Sequence, residues 1–157
     1  RHFRLRPRQR GTCPPQKTQK LMAITLHLDQ LKAQDMHLSG TLDAPALDLQ
    51  LGRDVLVHSA EELDYALDAT QADDTLLVRG SLKINFNCDC ARCLEPFIFT
   101  LEMDEWICAL PLKGPDAVAT NGEHLDLTPW VREDILLGLP QHPHCGEACK
   151  GLVYQAD

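Results

Sequence analysis

The stretch LLVRGSLKINFNCDCARCLEP, residues 76–96, carries the longest strand signal of the chain. Every second position from 76 to 86 is apolar or glycine, which is typical of a β-strand with one buried and one solvated face. Three cysteines follow at once, namely Cys88, Cys90 and Cys93. Apolar residues alternate again from Phe97 towards Leu110, so the segment predicts a β-hairpin whose end carries the cysteines.

Four shorter segments before the hairpin also alternate, and we interpret them as antiparallel strands with one wet face. They are Ile24–Leu28, Met36–Leu42, Ala46–Leu51 and Val55–Val57. Leu63–Ala69 alternates as well. Its alternative is a helix over Ser59–Leu67, because Ser59 and Glu62 have capping-box spacing. We favour the strand, with Gln71–Asp74 as the turn that follows it.

One helix is well signalled near the C-terminal end of the sequence. Thr128 is the predicted N-cap, Pro129 suits the first helical position, and apolar residues recur at helical spacing as far as Leu139. We expect the helix to stop at Pro140 and to follow a surface loop over Lys113–His124. The sequence thus predicts an α+β fold. It is mainly antiparallel β-sheet, which could be barrel-like, with one C-terminal helix and a cysteine-bearing hairpin end.

Charge divides the 157 residues into two unequal parts. Residues 1–21 hold seven Lys or Arg and no acid, whereas the remainder holds 8 basic and 23 acidic residues, a formal charge of −15. We interpret residues 1–21 as a disordered basic extension, either a nucleic-acid-binding arm, a targeting remnant or an upstream extension before Met22. Residues 22–157 are then one domain, whose acidic surface favours basic partners over phosphate backbones.

The apolar content indicates neither membrane insertion nor export. No run of 18 or more apolar residues occurs, so we expect no membrane span, and no apolar stretch near residue 1 suggests a secretory signal. Seven cysteines in such a chain fit a reducing compartment, where thiols serve as metal ligands or reactive groups. The expected location is therefore the cytoplasm.

The cysteines form two closely spaced pairs, Cys90 with Cys93 and Cys145 with Cys149. Two turns that supply two thiolates each are the usual way to build a four-ligand zinc site. The predicted cofactor is therefore a structural Zn²⁺ held by these four residues, with His142, His144 or Cys88 as substitutes for one sulfur. Cys108 lies within the return strand and is expected to be a small buried apolar residue.

Other interpretations of the cysteines stay open at this point. They could be reduced thiols that pack the hairpin end against the tail. Cys90 and Cys93 could form a redox pair, or they could hold a hydrolytic zinc ion beside Glu95. No nucleophile-elbow, phosphate-loop, dinucleotide or zincin motif occurs, and the cluster of Glu123, His124 and Asp126 is expected to lack catalytic meaning. We therefore expect the protein not to be an enzyme.

Three blocks resemble the YceD family of bacterial and plastid proteins for large ribosomal RNA subunit accumulation. They are CARCLEP (residues 90–96), VREDILLGLP (131–140) and PHCGEACKGL (143–152). The resemblance extends from about residue 22 to residue 152 and is specific over residues 80–152. It implies a non-enzymatic role in ribosome biogenesis, through accumulation of large-subunit (23S) ribosomal RNA. It also implies a location in the bacterial cytoplasm, with a plastid as the alternative.

The resemblance also implies a class of partner. A basic ribosomal protein or a precursor of the large subunit would suit the acidic body. The candidate binding residues are four charged members of the matching blocks, Arg92, Glu95, Glu133 and Asp134. Direct contact with nucleic acid would depend on scattered cations, namely Arg79, Lys83, Arg92 and Lys150, or on the basic extension, and would be weak.

Overall fold

The computed structural model describes residues 23–51 and 55–152. The order of elements is β1 (Thr25–His27), α1 (Leu28–Ala33), β2 (Met36–Leu42), α2 (Ala44–Leu47), β3 (Val57–Ala60), β4 (Leu63–Ala72), β5 (Thr75–Asp89), β6 (Pro96–Pro111), β7 (His124–Asp126) and α3 (Thr128–Gly138). The predicted basic extension over residues 1–21 lies outside the described residues. The division of the chain at residue 22 therefore stays a prediction.

The long strand β5 organises the main sheet. One edge of β5 pairs with β4 from Thr75 to Lys83 and with β3 from Phe86 to Cys88, while the other edge pairs with β6. Strand β2 extends the sheet beyond β4, and every pairing is antiparallel. The sheet curls into a half-barrel. The predicted α+β fold with its mainly antiparallel sheet is therefore confirmed.

Strands β4 and β5 supply much of the core through strict alternation. In β4 the buried positions include Leu63 and Leu67, and in β5 they include Val78, Ile84 and Phe86. Because side chains alternate across a strand, the polar residues between them face solvent. The segment Leu63–Ala69 is thus a strand, as favoured, and the alternative helix over Ser59–Leu67 is wrong.

A two-stranded sheet of β1 and β7 anchors the start of α3. Thr25 pairs with Asp126, and the backbone N–H of Ile24 donates to Oγ1 of Thr128 over 3.0 Å. The helix has Leu127 at its N-cap, so the predicted N-cap at Thr128 is wrong. The hydroxyl of Thr128 is thus bonded to the residue that precedes β1, and it is Oδ1 of Asp126 that accepts the N–H of Thr128, over 2.9 Å.

Three other local predictions differ from the structure. Ala46–Leu51 was predicted as a strand, but Ala44–Leu47 forms a short helix because Pro45 suits its first turn and Asp48 ends it in the left-handed region at φ 48°. The first strand ends at His27, and Leu28 begins α1. The predicted loop over Lys113–His124 ends one residue early, since His124 begins β7.

Helix α3 packs against the inner side of β6. The indole Nε1 of Trp106 donates to Oδ2 of Asp134 over 2.6 Å. A Cβ added to Gly138 would lie 3.1 Å from the side-chain ends of Leu101 and Met103, which shows how closely the helix approaches the strand there. Because α3 ends beside β6, the tail that follows it can return to the hairpin end.

Candidate metal centre

The hairpin end presents Cys90 and Cys93 through a tight turn between β5 and β6. The N–H of Cys90 donates to the carbonyl of Glu95 over 2.9 Å, and the N–H of Leu94 donates to the carbonyl of Cys90 over 2.8 Å. Leu94 adopts φ 62°, in the left-handed region that reverses the chain at this point. The turn therefore brings two cysteines of the same loop together, as the C-x-x-C spacing predicts.

The tail after α3 returns to the same place. The N–H of Ala91 donates to the carbonyl of Pro143 over 2.7 Å, and Pro143 is itself buried. The N–H of Cys145 donates to Sγ of Cys90 over 3.4 Å. A further turn, closed by the N–H of Cys149 and the carbonyl of Gly146 over 3.1 Å, places the second pair of cysteines opposite the first.

The four sulfur atoms form a compact cluster. Sγ of Cys90 lies 3.6 Å from Sγ of Cys149, and Sγ of Cys93 lies 3.8 Å from Sγ of Cys145. All four sulfurs lie within 4.8 Å of one another. A tetrahedral zinc ion with Zn–S bonds of about 2.3 Å requires sulfurs about 3.8 Å apart. The four cysteines therefore lie close together, as free thiols, in an arrangement that could bind a metal ion.

The environment of Cys90 favours its thiolate. Burial acts to raise the pKa of this thiol, and Cys90 is 0% exposed. Three backbone N–H groups outweigh burial and lower the pKa to about 6; they belong to Cys93, Arg92 and Cys145. Backbone donors of this kind would also stabilise the negative charge of a metal-bound thiolate.

Two further thiols of the cluster, those of Cys145 and Cys93, have a raised pKa. Contact with the Cys149 thiol and burial raise the pKa of Cys145 to about 12. The N–H of Glu95 lowers the pKa of Cys93, but burial and the neighbouring thiols of Cys90 and Cys149 outweigh it and raise the pKa. Four adjacent thiolates would repel one another. A bound cation would offset this repulsion and allow all four thiols to ionise together.

The residues considered as substitute ligands stand apart from the cluster. His142 and His144 are exposed, and Cys88 is buried with its thiol directed at the carbonyl of Phe86 over 3.8 Å. Among the described residues, the one group found that could hold a metal ion is Cys90, Cys93, Cys145 and Cys149. Cys108 is half-buried on the inner side of β6, and burial together with the charge of Asp134 raises its pKa to about 11.

The candidate binding residues lie in two places. Arg92 and Glu95 are exposed at the hairpin end, and Glu133 is exposed on α3. Asp134 is half-buried and accepts the hydrogen bond of Trp106, which gives it a structural contact that sequence reasoning missed. No pattern in the sequence pairs these two residues, since they lie on different elements. The role of all four in binding stays a prediction.

The acidic and histidine residues near β7 make contacts of their own. The rings of His27 and His124 lie edge to face with centroids 4.4 Å apart. The carboxyl groups of Glu123 and Asp29 share a hydrogen bond, which raises the pKa of Glu123 and lowers that of Asp29. Asp126 holds the start of α3. Each member of the Glu123, His124 and Asp126 cluster thus has a structural contact of its own.

No helix in the described part of the chain is long and apolar enough to cross a membrane.

Comparison with known proteins identifies a family that the chain matches. A family model described as the large ribosomal RNA subunit accumulation protein YceD matches residues 78–157. The matched region includes nearly all of β5, the whole of β6 and α3, and all four clustered cysteines. No curated protein and no solved structure gives a significant match.

Proposed function

Because the chain belongs to the YceD family of large ribosomal RNA subunit accumulation proteins, we propose that it is a non-enzymatic ribosome biogenesis factor. In this role it promotes accumulation of large-subunit (23S) ribosomal RNA. The observation that carries the proposal is the family match over residues 78–157, half of the chain, which spans the hairpin, the C-terminal helix and the cysteine cluster.

The cysteine cluster is proposed to hold a structural Zn²⁺. Four thiolates would occupy all four positions of a tetrahedral zinc ion, and a zinc site closed in this way has no position left for a catalytic water. The support is the distance between sulfurs, which is 3.6 Å for Cys90 and Cys149 and 3.8 Å for Cys93 and Cys145. Bound zinc would fasten the tail to the hairpin end and hold Arg92 and Glu95 in a fixed position.

Surface charge supports a basic partner. The described residues include 21 acidic and 7 basic side chains. A surface with this excess attracts cationic chains and repels phosphate backbones. We therefore propose that the protein binds a basic ribosomal protein or a precursor of the large subunit.

Direct contact with nucleic acid is less well supported than binding of a basic protein. Two of the cations considered for it, Arg79 and Lys83, lie opposite Asp68 and Asp64 on the neighbouring strand β4. Opposite charges in such cross-strand pairs neutralise each other. A phosphate backbone would therefore meet little net positive charge on this part of the sheet.

The alternative uses of Cys90 and Cys93, as a redox pair or in a zinc hydrolase, find less support. A reactive thiol must be reached by its substrate, and the most acidic thiol, that of Cys90, is 0% exposed. Its sulfur lies 3.6 Å from that of Cys149, which belongs to the tail. The arrangement suits ligation of one ion better than exchange between the two hairpin cysteines.

The experiment that tests the proposal is complementation of cells from which the gene has been deleted. We expect the deletion to lower large-subunit RNA relative to small-subunit RNA, and the wild-type chain to restore the ratio. The Cys93→Ser/Cys145→Ser variant should restore it poorly, whereas the Cys108→Ser variant, altered outside the cluster, should restore it fully. An unchanged ratio of the two RNAs in the deletion strain would exclude the proposed function.

A further inference from the structure

Strand β6 has a long edge that no other strand of the described residues covers. It runs for 16 residues, from Pro96 to Pro111, and pairs with β5 alone. An uncovered edge presents backbone N–H and C=O groups in the geometry that accepts another strand. At the Pro111 end, the carbonyl of Pro111 already accepts the N–H of Val118, so the accessible part lies before it.

The register shows which backbone groups face this edge. At one end of the hairpin the N–H of Cys90 bonds to the carbonyl of Glu95, and at the other the N–H of Leu112 bonds to the carbonyl of Asp74. Hydrogen-bonded and non-bonded pairs alternate along an antiparallel ladder. Counting inward from both ends, the outward backbone groups belong to Ile98, Thr100, Glu102, Ile107 and Ala109.

Between these two sets lies a bulge. Gly80 pairs with Trp106 and Leu82 pairs with Met103, so two residues of β6, Asp104 and Glu105, lie opposite the one residue between them on β5. A bulge of this kind increases the local twist of the strand. The uncovered edge therefore consists of two short stretches, residues 97–103 and 106–110.

The side chains along β6 favour an apolar and cationic occupant. On the outer face, Ile98 is 58% exposed and Ile107 is 62% exposed. Between them lie three exposed acids, Glu102, Asp104 and Glu105. On the inner face, four apolar side chains are only partly buried against the core; they are Phe97, Phe99, Leu101 and Met103. A further strand beside β6 would cover apolar groups on both faces.

We infer that the free edge of β6 is a docking site for an extended, positively charged segment of a partner protein, which joins the sheet as an added strand. The inference rests on the proposed function and specifies how the basic partner is bound. Main-chain hydrogen bonds would supply affinity, and pairing of Lys or Arg with the three acids would supply selectivity. A second copy of the chain is disfavoured there, because it would bring acids against acids, and the same charges repel RNA.

Amide hydrogen exchange of the full chain, followed by NMR, tests this inference directly. The probe is a set of overlapping synthetic peptides that cover the Lys- and Arg-rich termini of large-subunit ribosomal proteins. We expect fast exchange at Ile98, Thr100 and Glu102 in the free protein and protection when a peptide binds. The inward amides of Phe97, Phe99 and Leu101, already bonded to β5, should change little. Protection of the outward amides in the free chain, or peptide binding without it, would overturn the inference.

Two matched pairs of variants separate the backbone contribution from the charge contribution. Ile98→Pro removes an outward N–H and should weaken peptide binding about tenfold, whereas Ile98→Thr keeps that N–H and should weaken binding less. Reversal of Glu102, Asp104 and Glu105 to Lys should weaken binding at least about tenfold at low salt. Reversal to Lys of Asp35, Asp73 and Asp116, which are also exposed, changes net charge equally and should have little effect.

The same variants distinguish this inference from the proposed function. If wild-type chain restores large-subunit RNA and Ile98→Pro restores it equally well, docking on β6 is wrong and the function stands. If the deletion leaves that RNA unchanged, the function fails whatever the peptides do. A dimer that Ile98→Pro dissociates in sedimentation, or protection of the edge by RNA, would assign the edge to another occupant and overturn the inference.

Discussion

The backbone N–H of Ala91 in the hairpin end donates to the carbonyl of Pro143 in the tail over 2.7 Å. This hydrogen bond joins the two segments that carry the clustered cysteines without using a sulfur atom. The tail is therefore placed by the backbone as well as by any bound ion. The hydrogen bond prearranges the four sulfurs, so less conformational entropy has to be lost when the ion binds.

Metal content provides the first prediction. Reduced protein purified from cells should contain about one zinc ion per chain, because four converging thiolates match zinc in number and distance. The Cys93→Ser/Cys145→Ser variant should lose the ion, and Cys108→Ser should keep it. Elemental analysis by mass spectrometry measures both. Zinc retained in full by the double variant would contradict the assignment of ligands.

Removal of the ion should lower the free energy of unfolding. Linking Cys93 to Cys145 closes a loop over a separation of 52 residues, and the chain-entropy model for cross-links of that size gives about 4 kcal/mol as an upper figure. A chelator should therefore reduce the denaturation midpoint of wild type. It should leave the double cysteine variant unchanged, and an equal effect of chelator on both proteins would count against a stabilising ion.

Zinc affinity should fall as the pH falls, because protons compete with the ion for the thiolates. Fewer than four protons should be released per zinc at pH 7, since the pKa of Cys90 is lowered to about 6 and this thiol is already largely ionised. The pKa of Cys145, raised to about 12, makes it a thiol that must give up its proton. Titration with a coloured chelator in weakly buffered solution measures affinity and proton release together. Affinity that is constant from pH 6 to pH 8 would contradict the prediction.

The thiol of Cys108 should react slowly with an alkylating reagent. Burial and the negative charge of Asp134 raise its pKa to about 11, so very little thiolate exists at pH 7. Asp134→Asn removes the charge, lowers the pKa and should speed alkylation, while the amide oxygen can still accept the indole N–H of Trp106. Peptide mass spectrometry after timed alkylation checks this. An unchanged rate in the variant would show that burial alone controls the thiol.

Gly80 should be essential for the sheet. A Cβ at this position would lie 2.0 Å from the carbonyl oxygen of Ala66, a backbone atom that cannot move without distorting β4. Gly80→Ala should therefore cost about 2 kcal/mol or more in unfolding free energy. In Gly138→Ala the added carbon meets flexible side-chain ends at 3.1 Å, so a smaller loss is expected. Chemical denaturation compares the two, and equal losses would contradict the argument.

The sequence predicted the elements whose periodicity is long and unambiguous. The hairpin of β5 and β6 follows from extended alternation, and the two cysteine pairs follow from their spacing, so their approach to one cluster was foreseeable. The short helix α2 was not predicted. Leu47 in α2 and Leu49 after it are both buried, so apolar residues alternate as in a strand, although the backbone is helical up to Leu47.

Contacts between segments that are far apart in the chain could not be predicted from the sequence either. Threonine is a residue type common at helix N-caps, but the hydroxyl of Thr128 accepts a hydrogen bond from the backbone N–H of Ile24. The link between Trp106 and Asp134 likewise depends on how α3 lies against β6. Neither contact leaves a local pattern, because each depends on the tertiary packing of elements that are far apart in the chain.

The division of the cysteine cluster between two distant segments matters for how the protein is made. During translation the hairpin leaves the ribosome first, and Cys145 follows Cys93 only after a further 52 residues of synthesis. A nascent chain with two of its four sulfurs can hold an ion only loosely. Full coordination of an ion would therefore wait until the C-terminal helix has emerged and folded back, and ion binding would be a late step in the folding of the nascent chain.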